Sequence, residues 1–250
     1  MRQVVLDQLD ALGLKDMRRG LESQGNSRDN LTFEDRLCEL LEFERVARDE
    51  RRLKERLRKA GIRPNDRLEE LDGASARGID RQTLDFLGKG SWLRDRRNLA
   101  ITGPCGAGKT FLASALTHRA CDLGFNARYF RLPRLLQELQ VARADGTYAN
   151  RLASLEKVDL LVLDDWGIAP LEPPAKRDLL EILDDRYQKR STLVAAQLPL
   201  ENWHGWFADP ALADAILDRL VHNAYRLELK GESQRKLRGI PAEEFRGLKA

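Results

Sequence analysis

The chain has 250 residues, and its 43 basic against 40 acidic side chains leave a formal net charge of +3. That length accommodates an ordinary domain plus a small one, and the near balance of charge points to a soluble protein without naming a partner. No apolar run approaches the roughly 20 residues that cross a bilayer, and "MRQVVLDQLDALGLKD" carries acids where a secretory signal has an apolar block, so a cytoplasmic protein with no membrane partner is expected.

Residues 1–62 read as a small all-helical N-terminal domain. "LTFEDRLCELLEFERVARDERRLKERLRKAGI" opens on Thr32 as N-cap with Asp35 three residues on, and stops at Gly61 with Pro64 just beyond. Its apolar residues, from Phe33, Leu37, Leu40 and Leu41 onward, recur at helical spacing and define one packed face. Nine basic residues against three acids between Arg45 and Arg63 make either a solvated face or a surface for nucleic acid or an acidic partner. Residues 63–97 read as a connector. From Asn98 the pattern alternates, with strands predicted at 98–102, 126–132, 159–164, 192–197 and 225–230 separated by helical stretches, the pattern of a parallel sheet with crossover helices. The cysteines Cys38, Cys105 and Cys121 are too scattered for a disulfide framework or a zinc site.

The first predicted strand runs into "GPCGAGKT", which satisfies G-x-x-x-x-G-K-[ST] with Gly103, Gly108, Lys109 and Thr110 and is followed by a helix. Residues Gly103, Pro104, Cys105, Gly106, Ala107, Gly108, Lys109, Thr110 and Phe111 are therefore expected to bind a nucleotide. Backbone N–H groups would curl around the phosphates, Lys109 would reach the outer ones, and the Thr110 hydroxyl would ligate Mg²⁺. Further on, "DLLVLDDWG" gives four apolar residues closing on Asp164 and Asp165. Asp164 is expected to hold Mg²⁺, directly or through water. An acid at 165 would orient or deprotonate an attacking water, which points to hydrolysis. Gln197, at the tip of the next predicted strand, is placed to reach the γ-phosphate or that water. Asp209 and Pro210 then mark a helix start, and Arg219 lies at the margin of that helix's apolar stripe, as a surface residue or as a finger into a neighbouring subunit.

In the order GPCGAGKT, LLVLDDWGIAPL, STLVAAQLPLENWH, LADAILDRLVHNAYRLELKGESQRK the chain resembles AAA+ ATPases of the DnaC/IstB group, and most closely the IstB-like helper ATPases that insertion sequences encode beside an IstA-type transposase. The resemblance covers nearly the whole chain. It implies an α/β P-loop fold, a three-layer αβα AAA+ core over residues 98–250 with a truncated lid, preceded by the helical domain. It implies ATP and Mg²⁺ as cofactors, Gln197 as a sensor at a position more commonly Asn, Ser or Thr, Arg219 as an arginine finger acting in trans, and Arg235 as a second sensor.

The same resemblance implies a homo-oligomer with nucleotide at its subunit interfaces, bound to double-stranded DNA largely independently of sequence and working with an IstA-type transposase. A replicative helicase loader of the DnaC type shares this core and stands as the alternative, and a small-molecule P-loop kinase is a more distant one. Proteins of the group bind DNA through a helical insertion between the second strand and the Mg²⁺-binding strand. Here that stretch is "LPRLLQELQVARADGTYANRLASLEKV", with Arg134, Arg143, Tyr148 and Arg151 as expected contacts, although Leu135, Leu136 and Leu139 also fit an ordinary amphipathic crossover.

Overall fold

A computed structural model of the chain describes residues 1–23, 31–63, 65–71 and 78–231. It divides into two compact units, Met1–Glu55 and Arg56–Ala250.

In the first unit, α1 (Arg2–Ala11), α2 (Lys15–Ser23) and most of α3 (Phe33–Ala60) enclose a small core of Leu9, Met17 and Leu40, with Leu14, Leu21 and Leu37 packed against it. The predicted cap of α3 is present: the Asp35 backbone N–H donates to the Thr32 hydroxyl at 3.2 Å, and the Thr32 N–H donates to the Asp35 carboxylate at 3.2 Å. A second cap lay beyond sequence spacing. The buried Glu44 carboxylate accepts from the N–H groups of Asp16 and Met17, each at 3.0 Å, and so occupies the positive end of α2 from 27 residues away or more.

The second unit holds a five-stranded parallel sheet in the order β2-β3-β4-β1-β5, with β1 Asn98–Thr102, β2 Ala127–Arg131, β3 Leu160–Trp166, β4 Ser191–Ala196 and β5 Ala224–Glu228. All five fall where the alternating pattern predicts them, with β3 two residues longer at its end. Leu160–Leu163 and Leu193–Ala196 have no exposed surface, as expected for central strands covered on both faces. The flanking helices are α6 (Lys109–Asp122), α7 (Leu132–Ala144), α8 (Tyr148–Glu156), α9 (Pro173–Arg186) and α11 (Pro210–Val221), with the short α10 (Trp203–Phe207) between the last two. Asp209 caps α11 through the Leu212 N–H at 3.2 Å.

Within residues 78–97, α4 (Arg81–Lys89) and α5 (Ser91–Arg94) are helical, and Ile79, Leu87 and Trp92 are buried. Trp166 and Trp203 are buried in one aromatic cluster with Phe207, and Trp206 packs against it. Arg186 of α9 is buried, and among the described residues no carboxylate is hydrogen-bonded to it. Its guanidinium instead donates to the carbonyls of Leu155, Val158 and Ser191 and to the Thr192 hydroxyl, which ties the end of α8 to the start of β4. Among the described residues no helix is long and apolar enough to cross a membrane.

Candidate nucleotide and metal site

Parallel strands bring their C-terminal ends to one edge of the sheet, the edge at which ligands bind in open α/β folds. Here that edge carries Gly103 after β1, Arg131 at the end of β2, Asp164 and Asp165 in β3 and Gln197 after β4. Because β4 lies between β1 and β3, Gln197 stands between the glycine-rich loop and the two acids.

The loop from Gly103 to Gly108 is shaped by its glycines. Gly103 has φ +146°, and a Cβ there would lie 2.5 Å from the carbonyl oxygen of Leu229, just past β5, so no other residue fits without moving backbone. Gly108, at φ +98°, starts α6, whose free N–H groups form an anion site at the loop's end. The buried Lys109 ammonium donates to the carbonyls of Gly103 at 2.7 Å and Pro104 at 2.8 Å, which keeps it across the mouth of the loop. Cys105 is exposed.

Thr110, the second residue of α6, donates its hydroxyl to the buried Asp164 carboxylate at 2.9 Å. A hydroxyl and a carboxylate at this distance supply two oxygen donors, the set a hard divalent cation takes. Among the described residues no group of three or more His, Cys, Asp or Glu side chains could hold a metal unaided. A cation between Thr110 and Asp164 would thus complete its shell with phosphate oxygens and water, the usual manner of Mg²⁺. These residues fit Mg²⁺.

The two acids are held unequally. In the register of β3 against β4, Leu163 faces Val194 and Trp166 faces Ala196, so three steps on one strand oppose two on the other. This bulge falls on Asp164 and Asp165, and Asp165 takes up the extra residue in the left-handed region at φ +61°. Strict alternation would send neighbouring carboxylates to opposite faces. The bulge breaks that alternation: Asp164 meets Tyr129, Asp165 meets Arg131 at 3.7 Å, and those partners share a face of β2. The Asp165 N–H also donates to the other Asp164 oxygen at 2.9 Å.

Tyr129 and Arg131 escaped sequence reasoning. The signal available was a period-two one: both stand on one face of the strand beside "LLVLDD", Arg131 level with Asp164 and Tyr129 two residues before it. Burial, then the Asp164 charge, push the Tyr129 phenol up, so it remains protonated and donates its hydroxyl to the Asp164 oxygen that Thr110 also reaches.

Gln197 is exposed just beyond β4. Arg219, in the last turn of α11, has its carbonyl against the Asn98 side chain at the start of β1, whereas the loop follows that strand's other end, and its guanidinium pairs with Asp184 of α9. Arg235 lies outside the described residues. The expected DNA contacts come together on the α7–α8 hairpin. Arg143 pairs with the buried Asp178 and lies over the Tyr148 ring at 3.7 Å, and the Tyr148 hydroxyl donates to Asp178 at 2.9 Å and Glu181 at 2.8 Å. Arg151 and Arg134 share Glu138.

A P-loop after β1, a carboxylate near the end of β3, and β4 inserted between them define a P-loop nucleotide-binding protein. The profile of IstB-like ATP binding proteins matches residues 7–240, and the chain belongs to that family of AAA+ ATPases. It is 47% identical over 239 residues to the insertion-sequence ATP-binding protein y4uH of Sinorhizobium fredii, covering 96% of each chain. It is likewise 47% identical over 203 residues to the ATP-binding protein of insertion sequence IS1162 from Pseudomonas fluorescens, covering 80% of this chain and 87% of that one. In fold it is similar to AMPPCP-bound DnaA from Aquifex aeolicus, with a TM-score of 0.57 at 18% identity over 70% of this chain and 53% of that one, so this chain spans about half of that structure. It also resembles DnaI, with a TM-score of 0.55 at 20% identity over 73% and 93% of the two chains.

Proposed function

We propose that this ATPase assists transposition: with ATP and Mg²⁺ bound it assembles on double-stranded DNA and recruits and activates an IstA-type transposase. The observation that carries the reading is the Thr110–Asp164 contact beside Asp165, a hydrolytic site in a chain whose relatives belong to insertion sequences.

Each side chain then has a task. Loop N–H groups and Lys109 hold the phosphates, and Thr110 and Asp164 hold Mg²⁺, which when bound offsets the charge that develops on the phosphate oxygens. Asp165 accepts a proton from the attacking water, and Gln197 orients that water. Arg219 completes the site of an adjoining copy, so the nucleotide lies between subunits and its hydrolysis loosens the assembly. DNA is gripped through its phosphates by the α7–α8 hairpin, largely without regard to sequence, because arginine contacts to phosphate carry no base information.

The test is mass in solution with ATP, ADP or no nucleotide, each with and without duplex DNA. The largest species is expected with ATP and duplex together. One mass across all six conditions overturns the reading.

A further inference from the structure

The Asp164 carboxylate oxygen that accepts from Thr110 accepts from Tyr129 as well, and Tyr129 comes from a strand outside the phosphate loop. A Thr110 hydroxyl that gives a lone pair to a cation keeps its one hydrogen, and Tyr129 adds a second donor to the same Asp164 oxygen from outside the loop. The phenol is braced by its own strand: Tyr129 lies opposite Val162 in the β2–β3 register, two residues ahead of Asp164, and the strand ends with Arg131 opposite Asp164. Donor, acceptor and their backbones thus belong to one hydrogen-bonded ladder. The Asp165 N–H holds the remaining Asp164 oxygen at 2.9 Å. Both oxygens therefore have a donor independent of Thr110, and the carboxylate is fixed in direction.

We infer that Tyr129 is a positioning residue for the cation: its hydroxyl orients Asp164 so that the carboxylate presents a lone pair to Mg²⁺ beside Thr110. Resting on the ATPase reading above, this deepens it by naming the group outside the ligand set that sets metal affinity. Hydrogen-bonding partners behind a ligand typically change metal affinity by about 10–100-fold when removed. Tyr129 touches neither phosphate nor the reacting atoms in this scheme, so its removal should spare metal-free nucleotide binding.

The experiment compares the full-length wild type with Tyr129→Phe, which keeps the ring and removes only the hydroxyl. A fluorescent ATP analogue is titrated in EDTA and then at increasing Mg²⁺, and thermal unfolding is followed on the same samples. The expected result is EDTA affinity within about twofold of wild type, with the Mg²⁺ concentration for half-maximal enhancement raised about tenfold or more. An unchanged Mg²⁺ midpoint overturns the inference, and so does an equal loss of affinity in EDTA and Mg²⁺, which would make the hydroxyl a general structural support. A wild type that binds the analogue under neither condition would overturn the ATPase reading itself, and this inference with it.

Discussion

The Arg219 guanidinium pairs through Nε with Asp184, and its Nη1 donates to the Ala215 carbonyl at 2.9 Å. In one chain the group is committed to its own surface, so service to a neighbour's phosphates requires it to leave Asp184. The Asp184 side chain is 58% exposed, and exposed pairs of this kind contribute about 0–1 kcal/mol, so the exchange is inexpensive. Asp184→Ala should accordingly leave ATP turnover on DNA unchanged or raise it by no more than about fivefold. Arg219→Ala should lower it by about 100-fold or more, and mixing with Lys109→Ala chains should restore part of it. Phosphate release by the single variants and the mixture checks this. Full turnover in Arg219→Ala would remove the trans finger from the mechanism.

Lys109 and Asp165 should separate binding from turnover. Lys109→Ala removes the ammonium from the loop mouth, and loss of ATP-analogue binding and of nucleotide-dependent assembly is expected. Asp165→Asn is the cleaner probe of chemistry, because asparagine tolerates the left-handed backbone at φ +61° and only the charge is removed. Binding should persist while phosphate release slows by about 100-fold or more. Analogue titration and phosphate release on one preparation distinguish the two outcomes.

Glu44 makes the first unit acid-sensitive. Its burial alone would raise the carboxyl, but the N–H groups of Met17 and Asp16 and the Arg48 side chain together hold it below its ordinary value of 4.5. A lowered carboxylate favours the folded state above its unfolded pKa, and that contribution is lost as pH falls through the folded value. Glu44→Gln should therefore be less stable than wild type at pH 7, with the gap closing below about pH 4. Denaturant unfolding of both proteins across this range is the measurement. A gap that stays constant with pH would show that the Glu44 charge does not hold α2.

Local rules reach much of this fold. The Thr32–Asp35 cap, the Asp209 cap, the five strands and the phosphate loop each depend on residues close together in sequence, and each reads directly from its own stretch. Contacts that join distant stretches are another matter. Glu44 at the head of α2, Arg186 among the carbonyls of α8 and β4, and Tyr129 on Asp164 all depend on strand order and register, which no single stretch carries. The bulge at Asp164–Asp165 belongs with these, since an apolar run ending in two acids reads the same whether or not its last residues keep alternation.

The hairpin arginines should divide by what already holds them. The Arg143 side chain faces Asp178, whose side chain is only 5% exposed, so Arg143→Ala leaves Asp178, among the described residues, with the Tyr148 hydroxyl and should cost about 1–3 kcal/mol of stability. For a unit of this size that is roughly 2–4 °C in Tm per kcal/mol, with or without DNA. The Arg134 side chain is 80% exposed and only loosely paired, at 3.4 Å from Glu138. Arg134→Ala should leave stability within the range of about ±0.5 kcal/mol that surface changes show. If the hairpin grips phosphates, that variant should bind duplex more weakly, and its slope of log affinity against log salt should become shallower by about 0.9, the share of a single phosphate that the arginine no longer neutralises. The weakening should be alike for two duplexes of unrelated sequence, because a phosphate contact carries no base information. Titrations at several salt concentrations, beside thermal melts of both variants, make the comparison. An Arg134→Ala chain with wild-type affinity and slope would take Arg134 out of the DNA-binding surface, while an Arg143→Ala chain with wild-type Tm would show that Asp178 does not need its arginine.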